Sequence, residues 1–149
     1  MTIEDYLEKP YWVIDFLPRQ VPADSRGQYF RVEEFFLEHP RIDALYRKFA
    51  NIVLKLNCYE DLSFSQDGEN VSAGVEWVTN PAPKLIEQMV AKCLSAKRML
   101  YVVMESSEEM ITLGSDDMYM TVYNASERTL GLLGSLAAAE GLFVWKPEQ

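Results

Sequence analysis

A change of hydrophobic period in mid-chain constrains this fold more than any other feature. After Pro40, the residues Ile42, Leu45, Tyr46, Phe49, Ile52, Val53 and Leu56 recur at steps of three and four. Arg47, Lys48, Asn51 and Lys55 take the other side. The spacing predicts an amphipathic helix on a core, with each large apolar side chain worth about 1.5–3 kcal/mol. Beyond it the period falls to two. Leu62-Ser-Phe-Ser65 and the set Val71, Ala73, Val75, Trp77 alternate with polar or small residues, and Asp67-Gly68 is a turn dipeptide between them. This reads as an antiparallel hairpin. A chain that switches period this way must bury helix against sheet.

The flanking segments extend the pattern. Residues 2–9 form a short helix, and Tyr11–Leu17 is a β-rich run closed by Pro18. Pro18 and Pro22 bracket an extended linker. Asp24 or Ser25 then caps a helix through about Glu38, with Tyr29, Phe30, Phe36 and Leu37 on its aromatic side. Asn80 caps a further helix with Pro81 at its first position, lined inside by Leu85, Ile86, Met89, Val90 and Cys93. Met99–Met104 is a continuous apolar run and reads as a central strand. Met110–Leu113 and Met118–Tyr123 are strands joined by Gly-Ser-Asp-Asp, and Leu142–Trp145 is a terminal strand. With no repeat or flexible linker, residues 1–149 read as a single α+β domain. Its expected sheet is mainly antiparallel, with about five or six strands packed by three to four helices.

One helix is nearly uncharged. Thr129–Ala139 reads TLGLLGSLAAA, with Asn124 as cap, Glu127 completing a capping box, and Gly141 as stop. Leu130, Leu132, Leu133, Leu136 and Ala137 form its apolar face. Gly131, Gly134, Ser135, Ala138 and Ala139 face the other way, where a surface helix is normally polar. Another helix or another chain is expected to cover them. Close backbone approach through these small residues suggests a homodimer.

Formal net charge is −9. That balance argues against nucleic acid and anionic membranes as partners and favours a basic protein. Between Glu105 and Glu127 there are six acids and no Lys or Arg; between Glu60 and Glu76 there are five and none. The stretches read as loops, so Glu105, Glu108, Glu109, Asp116 and Asp117 are the candidate acidic binding patch. Their spacing matches no EF-hand, so no metal is expected there. No apolar run approaches the ~18 residues of a membrane span. The acidic N-terminal sequence lacks a signal-peptide pattern, so a cytoplasmic location is expected, with Cys58 and Cys93 as core thiols.

Catalytic patterns are thin. The one histidine, His39, sits at a helix C-terminus, where the dipole favours a cation. No metal motif, phosphate loop or dinucleotide fingerprint occurs, so no catalytic residue and no cofactor is assigned. Asp15 lies inside an apolar strand; exposure on an edge strand is the preferred reading, and burial would require Arg19, Arg26 or a raised pKa. Tyr11, Trp12, Tyr29 and Phe35 are the candidate aromatic pocket. Phe35 and Phe36 cannot share one helix face, so one should lie near the surface. The leading expectation is a non-enzymatic interaction or regulatory module, neutralising a basic partner as inhibitors and immunity proteins do. The alternative is a small-molecule binder or sensor, and the least favoured is a carboxylate-dependent hydrolase.

Overall fold

The computed structural model describes residues 1–67, 76–115 and 117–148, apart from the side chains of Ser25 and Arg26. The expected turn at Gly68, the strand positions Val71, Ala73 and Val75, and Asp116 lie outside the described residues.

Thr2 opens the first helix, α1 (Ile3–Leu7), with a full capping box. Its hydroxyl accepts from the Asp5 N–H at 3.2 Å, and the Asp5 carboxylate accepts from the Thr2 N–H at 2.8 Å. The β-rich run becomes strand β1 (Tyr11–Asp15). After the proline-bracketed linker, a 3-10 turn at Ala23–Ser25 leads into α2 (Arg26–Leu37). The period-3.6 stripe becomes α3 (Arg41–Leu56), and all seven of its predicted apolar positions are buried.

The rest alternates between sheet and helix. Strand β2 (Ser63–Gln66) pairs antiparallel with β3 (Val78–Thr79). Then come α4 (Pro83–Ser95), β4 (Leu100–Met104), β5 (Glu109–Leu113) and β6 (Tyr119–Tyr123). Helix α5 (Glu127–Ala139) and β7 (Phe143–Trp145) complete the chain. Among the described residues all pairings are antiparallel, in one seven-stranded sheet of order β3-β2-β4-β5-β6-β1-β7. Among the described residues, seven strands and five α-helices exceed the expected numbers slightly. α1 lies within the expected helix over residues 2–9, and β3 directly follows the expected hairpin strand that ends at Trp77.

The core lies between one sheet face and helices α3, α4 and α5. Phe49, Ile52 and Leu56 meet Ile86, Val90, Phe64, Val102 and Ile111 there, all at most 2% exposed. α5 contributes Leu133 and Ala137 fully and Leu132 and Leu136 in part. On the opposite sheet face, α1 lays Tyr6 over Val103 and Met110.

Two helix boundaries correct the sequence reading and a third bears it out. α4 begins at Pro83 with Ala82 as cap, because Asn80 is otherwise engaged. At φ 47°, Asn80 Oδ1 accepts from the Leu62 N–H at 3.0 Å and from Asn57 Nδ2 at 2.8 Å, tying the end of α3 to the entry of β2. α5 is capped by Ser126, whose Oγ accepts from the Thr129 N–H at 3.2 Å. Asn124 instead turns the chain at φ 61° and donates to the Glu108 carbonyl at 2.7 Å. Gly141 is the predicted stop, at φ 74°. The Gly141 N–H donates to Ala138 O and the Leu142 N–H to Ala137 O, which is a Schellman motif.

Of the two thiols, only Cys93 is a core residue; Cys58 is exposed. Among the described residues, no helix is long and apolar enough to cross a membrane.

Candidate functional site

Strand alternation gives the sheet two unlike faces. Trp12, Ile14, Met120, Val122 and Val144 point to the helices. Their neighbours Tyr11, Val13, Asp15, Tyr119, Thr121, Tyr123, Phe143 and Trp145 therefore share the outer face. α1 covers this face over β4 and β5, and residues 20–23 with the start of α2 wall its other side. Between β1, β6 and that wall lies a cleft of about 450 Å³, lined by Tyr11, Asp15, Tyr29, Phe30, Tyr119 and Trp145 among others.

The aromatic surface around the cleft is open. Phe30 is 55% exposed, Tyr11 45%, Phe143 43% and Tyr119 40%. The Tyr11 and Tyr123 rings lie 5.8 Å apart across β1 and β6. Tyr29 donates to the Glu33 carboxylate at 3.2 Å. Burial, and then Glu33, push its phenol up to about 12. Burial also raises Tyr119 and Tyr123, so these phenols stay neutral hydrogen-bonding groups.

Asp15 corrects the sequence reading. β1 is flanked by β6 and β7, so it is no edge strand, and Asp15 is only 8% exposed. It stands opposite Tyr119 on one side and Phe143 on the other. Its Oδ1 accepts from the Phe16 N–H at 2.8 Å. Burial pushes the carboxyl up to about 6, against the opposing pull of the Phe16 and Leu17 N–H groups and the Trp145 indole. No ion pair among the described residues includes it.

The predicted aromatic quartet divides. Tyr11 and Tyr29 line the cleft. Trp12 faces the core side, with Lys146 Nζ 5.9 Å from its ring centre. Phe35 is the exposed member of the Phe35–Phe36 pair; the Arg41 guanidinium lies 3.7 Å over its ring, away from the cleft.

The predicted acidic patch also divides. Glu109 is 1% exposed and belongs to the core side. Its Oε1 accepts from the Ser126 N–H at 2.5 Å, and its Oε2 accepts from Ser107 at 2.6 Å and Thr129 at 2.8 Å. This carboxylate anchors the start of α5, so it is a structural cap and not a docking charge. Glu105 and Glu108 are exposed in the β4–β5 turn. Asp117 lies past the other end of β5, about 17 Å away at ~3.4 Å per residue. There its carbonyl accepts from the Tyr46 hydroxyl at 2.8 Å. Glu105 and Glu108 instead join Glu4, Tyr6 and Trp77 around a recess of about 520 Å³ beside α1.

Sequence reasoning missed Glu4, Tyr119, Tyr123 and Trp145. The alternation Tyr119-x-Thr121-x-Tyr123 was the available signal, since it puts both tyrosines on one face. On α5, Gly131, Ser135 and Ala138 are exposed and Gly134 is half-buried. No atom lies within 4 Å of a Cβ built on either glycine. The described chain therefore does not cover this face. His39 is exposed and meets Asp43 at 2.5 Å, so it has a carboxylate partner besides the helix end. A groove of about 730 Å³ between α3 and α4 mixes Arg47 and His39 with Asp43 and Glu87, and offers no single charge preference. Among the described residues, no group of three His, Cys, Asp or Glu side chains is placed to hold a metal.

Comparison with family models, with curated proteins and with solved structures finds no match to this chain.

Proposed function

We propose that this protein is a non-enzymatic binding module that receives a basic stretch of a partner protein on the outer face of its sheet. The carrying observation is the exposed aromatic group Tyr11, Tyr119 and Phe30 lining a cleft that holds a buried carboxylate, with the exposed Phe143 opposite Asp15 on β7. A contiguous exposed apolar patch of this kind marks an interaction surface. Tyrosine gives large contact area at low entropic cost and attracts cations to its ring face. Glu4, Glu105 and Glu108 flank the same face, and a net charge of −9 steers a basic partner toward it. The unpaired thiols Cys58 and Cys93 fit a reducing compartment, hence a cytoplasmic location.

The cleft volume also suits a small ligand, which supports the sensor reading second. Self-association through Gly131, Gly134, Ser135 and Ala138 remains a further proposal, supported by the open space around both glycines. Sizing of Ala138→Glu tests it: a dimer should become a folded monomer, and an unchanged elution volume removes the idea.

The main reading is tested by retention on immobilised Lys/Arg-Gly peptides. The wild-type chain should be retained at low salt and released as salt rises. The double variant Tyr11→Ala/Tyr119→Ala should lose at least tenfold in affinity while Ala138→Glu loses none. Equal retention of wild type and double variant overturns the reading.

A further inference from the structure

We propose that the cleft beside Asp15 is a receptor for one guanidinium or ammonium head on an alkyl stem, supplied by an arginine or lysine side chain of the basic partner. This rests on the binding-face reading above and names the group that it recognises.

The inference begins with an unbalanced charge. Asp15 is more than nine-tenths buried, borders the cleft, and has no cation in any ion pair among the described residues. A carboxylate offers about four acceptor positions. The Phe16 N–H at 2.8 Å takes one, while the Trp145 indole N–H is spent on the Leu17 carbonyl at 3.0 Å. Backbone donors orient the group without neutralising it. A buried carboxylate of this kind gains most from a partner that brings positive charge as well as N–H donors.

The walls favour the same ligand. Tyr11, Tyr29, Tyr119 and Trp145 line the same cleft as the carboxylate, and aromatic rings attract a cation and pack an alkyl stem. The residues lining the cleft include no Lys, Arg or His, so nothing there repels a cation or holds an anion. A neutral apolar ligand would leave the buried carboxylate without a countercharge. At about 450 Å³ the cleft lies within the usual range for ligand sites.

Calorimetry at about pH 7.5, where an Asp15 carboxyl titrating near 6 is ionised, tests the assignment. The probes are a Gly/Ser heptapeptide with one central arginine, the same peptide with citrulline, and agmatine as a free guanidine. The arginine peptide should bind at least tenfold tighter than the citrulline peptide. Asp15→Asn keeps the side-chain shape and the acceptor for Phe16, so it should fold by circular dichroism. It should weaken the arginine peptide at least tenfold and leave the citrulline peptide unchanged. Tyr119→Leu, at an exposed position, should weaken it threefold to tenfold. The triple variant Glu4→Gln/Glu105→Gln/Glu108→Gln should cost less than threefold.

If Asp15→Asn binds like wild type, or citrulline binds like arginine, the cleft assignment falls. Binding that then depends on Glu4, Glu105 and Glu108 leaves the broader binding-face reading standing. Agmatine binding that depends on Asp15, without any peptide binding, overturns the side-chain source in favour of a small amine. Failure of every arginine probe overturns both the assignment and the reading.

Discussion

The two faces of the sheet solve different problems. The inner face presents Ile14, Phe64, Val102, Ile111 and Val122, none more than 1% exposed, to the helices above. The outer face presents tyrosines, threonines and one aspartate, and several of its rings stay open to solvent. Each face also buries a carboxylate, and these two sharpen the contrast. Glu109, on the inner side, meets a backbone N–H and two hydroxyls and fixes the start of α5. Asp15, on the outer side, has the Phe16 backbone N–H as donor, and burial still raises its carboxyl to about 6. A buried carboxylate answered by its own fold is an anchor. One left short of positive charge is a place for something else to bind.

The largest expected effect breaks the inner face. Phe49 is fully buried, so Phe49→Ala should cost about 3–5 kcal/mol and Phe49→Asp should abolish folding. Tyr119→Ala on the outer face should cost about 1 kcal/mol or less. Urea unfolding followed by circular dichroism gives both values; similar losses would erase the distinction between the faces.

Asp15→Asn should produce the next largest change, and it should be a gain. The folded carboxyl titrates near 6 against an ordinary 3.8, so the folded state holds a proton that the unfolded state releases between those values. Stability contributed by Asp15 therefore falls as pH rises through that window and levels off above it, by about 3 kcal/mol in total. The variant should match wild type near pH 4 and exceed it at neutral pH. A difference between the two that stays flat across the window contradicts this account of Asp15.

Glu109→Gln removes the charge that Ser126, Ser107 and Thr129 answer, and should cost about 1–3 kcal/mol. Glu105→Gln and Glu108→Gln, both exposed, should stay within about 0.5 kcal/mol. Equal effects would return Glu109 to the surface patch. Gly134→Ala puts a Cβ into open space and should stabilise α5 by about 0.5–1 kcal/mol. A loss in thermal stability there would mean that something already occupies the space.

What was legible in the sequence was local. The α3 stripe, the apolar β4 run, the alternation of β6 and the Gly141 stop all follow from neighbouring residues. Asp15 was not legible, because β6 and β7, which bury it, arrive about a hundred residues later in the chain. The acidic patch failed for a related reason. Glu105, Glu108 and Asp117 are near in sequence, but antiparallel pairing sends the turns before and after β5 to opposite ends of the sheet. Asn124 and Ser126 are both good cap residues. The left-handed turn at Asn124 gave that role to Ser126, and sequence alone ranks the two equally.

The most direct test of the binding face is a titration of ¹⁵N-labelled protein with the single-arginine peptide, read as amide chemical-shift changes. Changes concentrated at Tyr11, Val13, Asp15, Tyr119, Thr121 and Tyr123, with α3 and α4 silent, are the predicted result. Changes confined to the α3–α4 groove or to α5, with β1 and β6 unmoved, would contradict it.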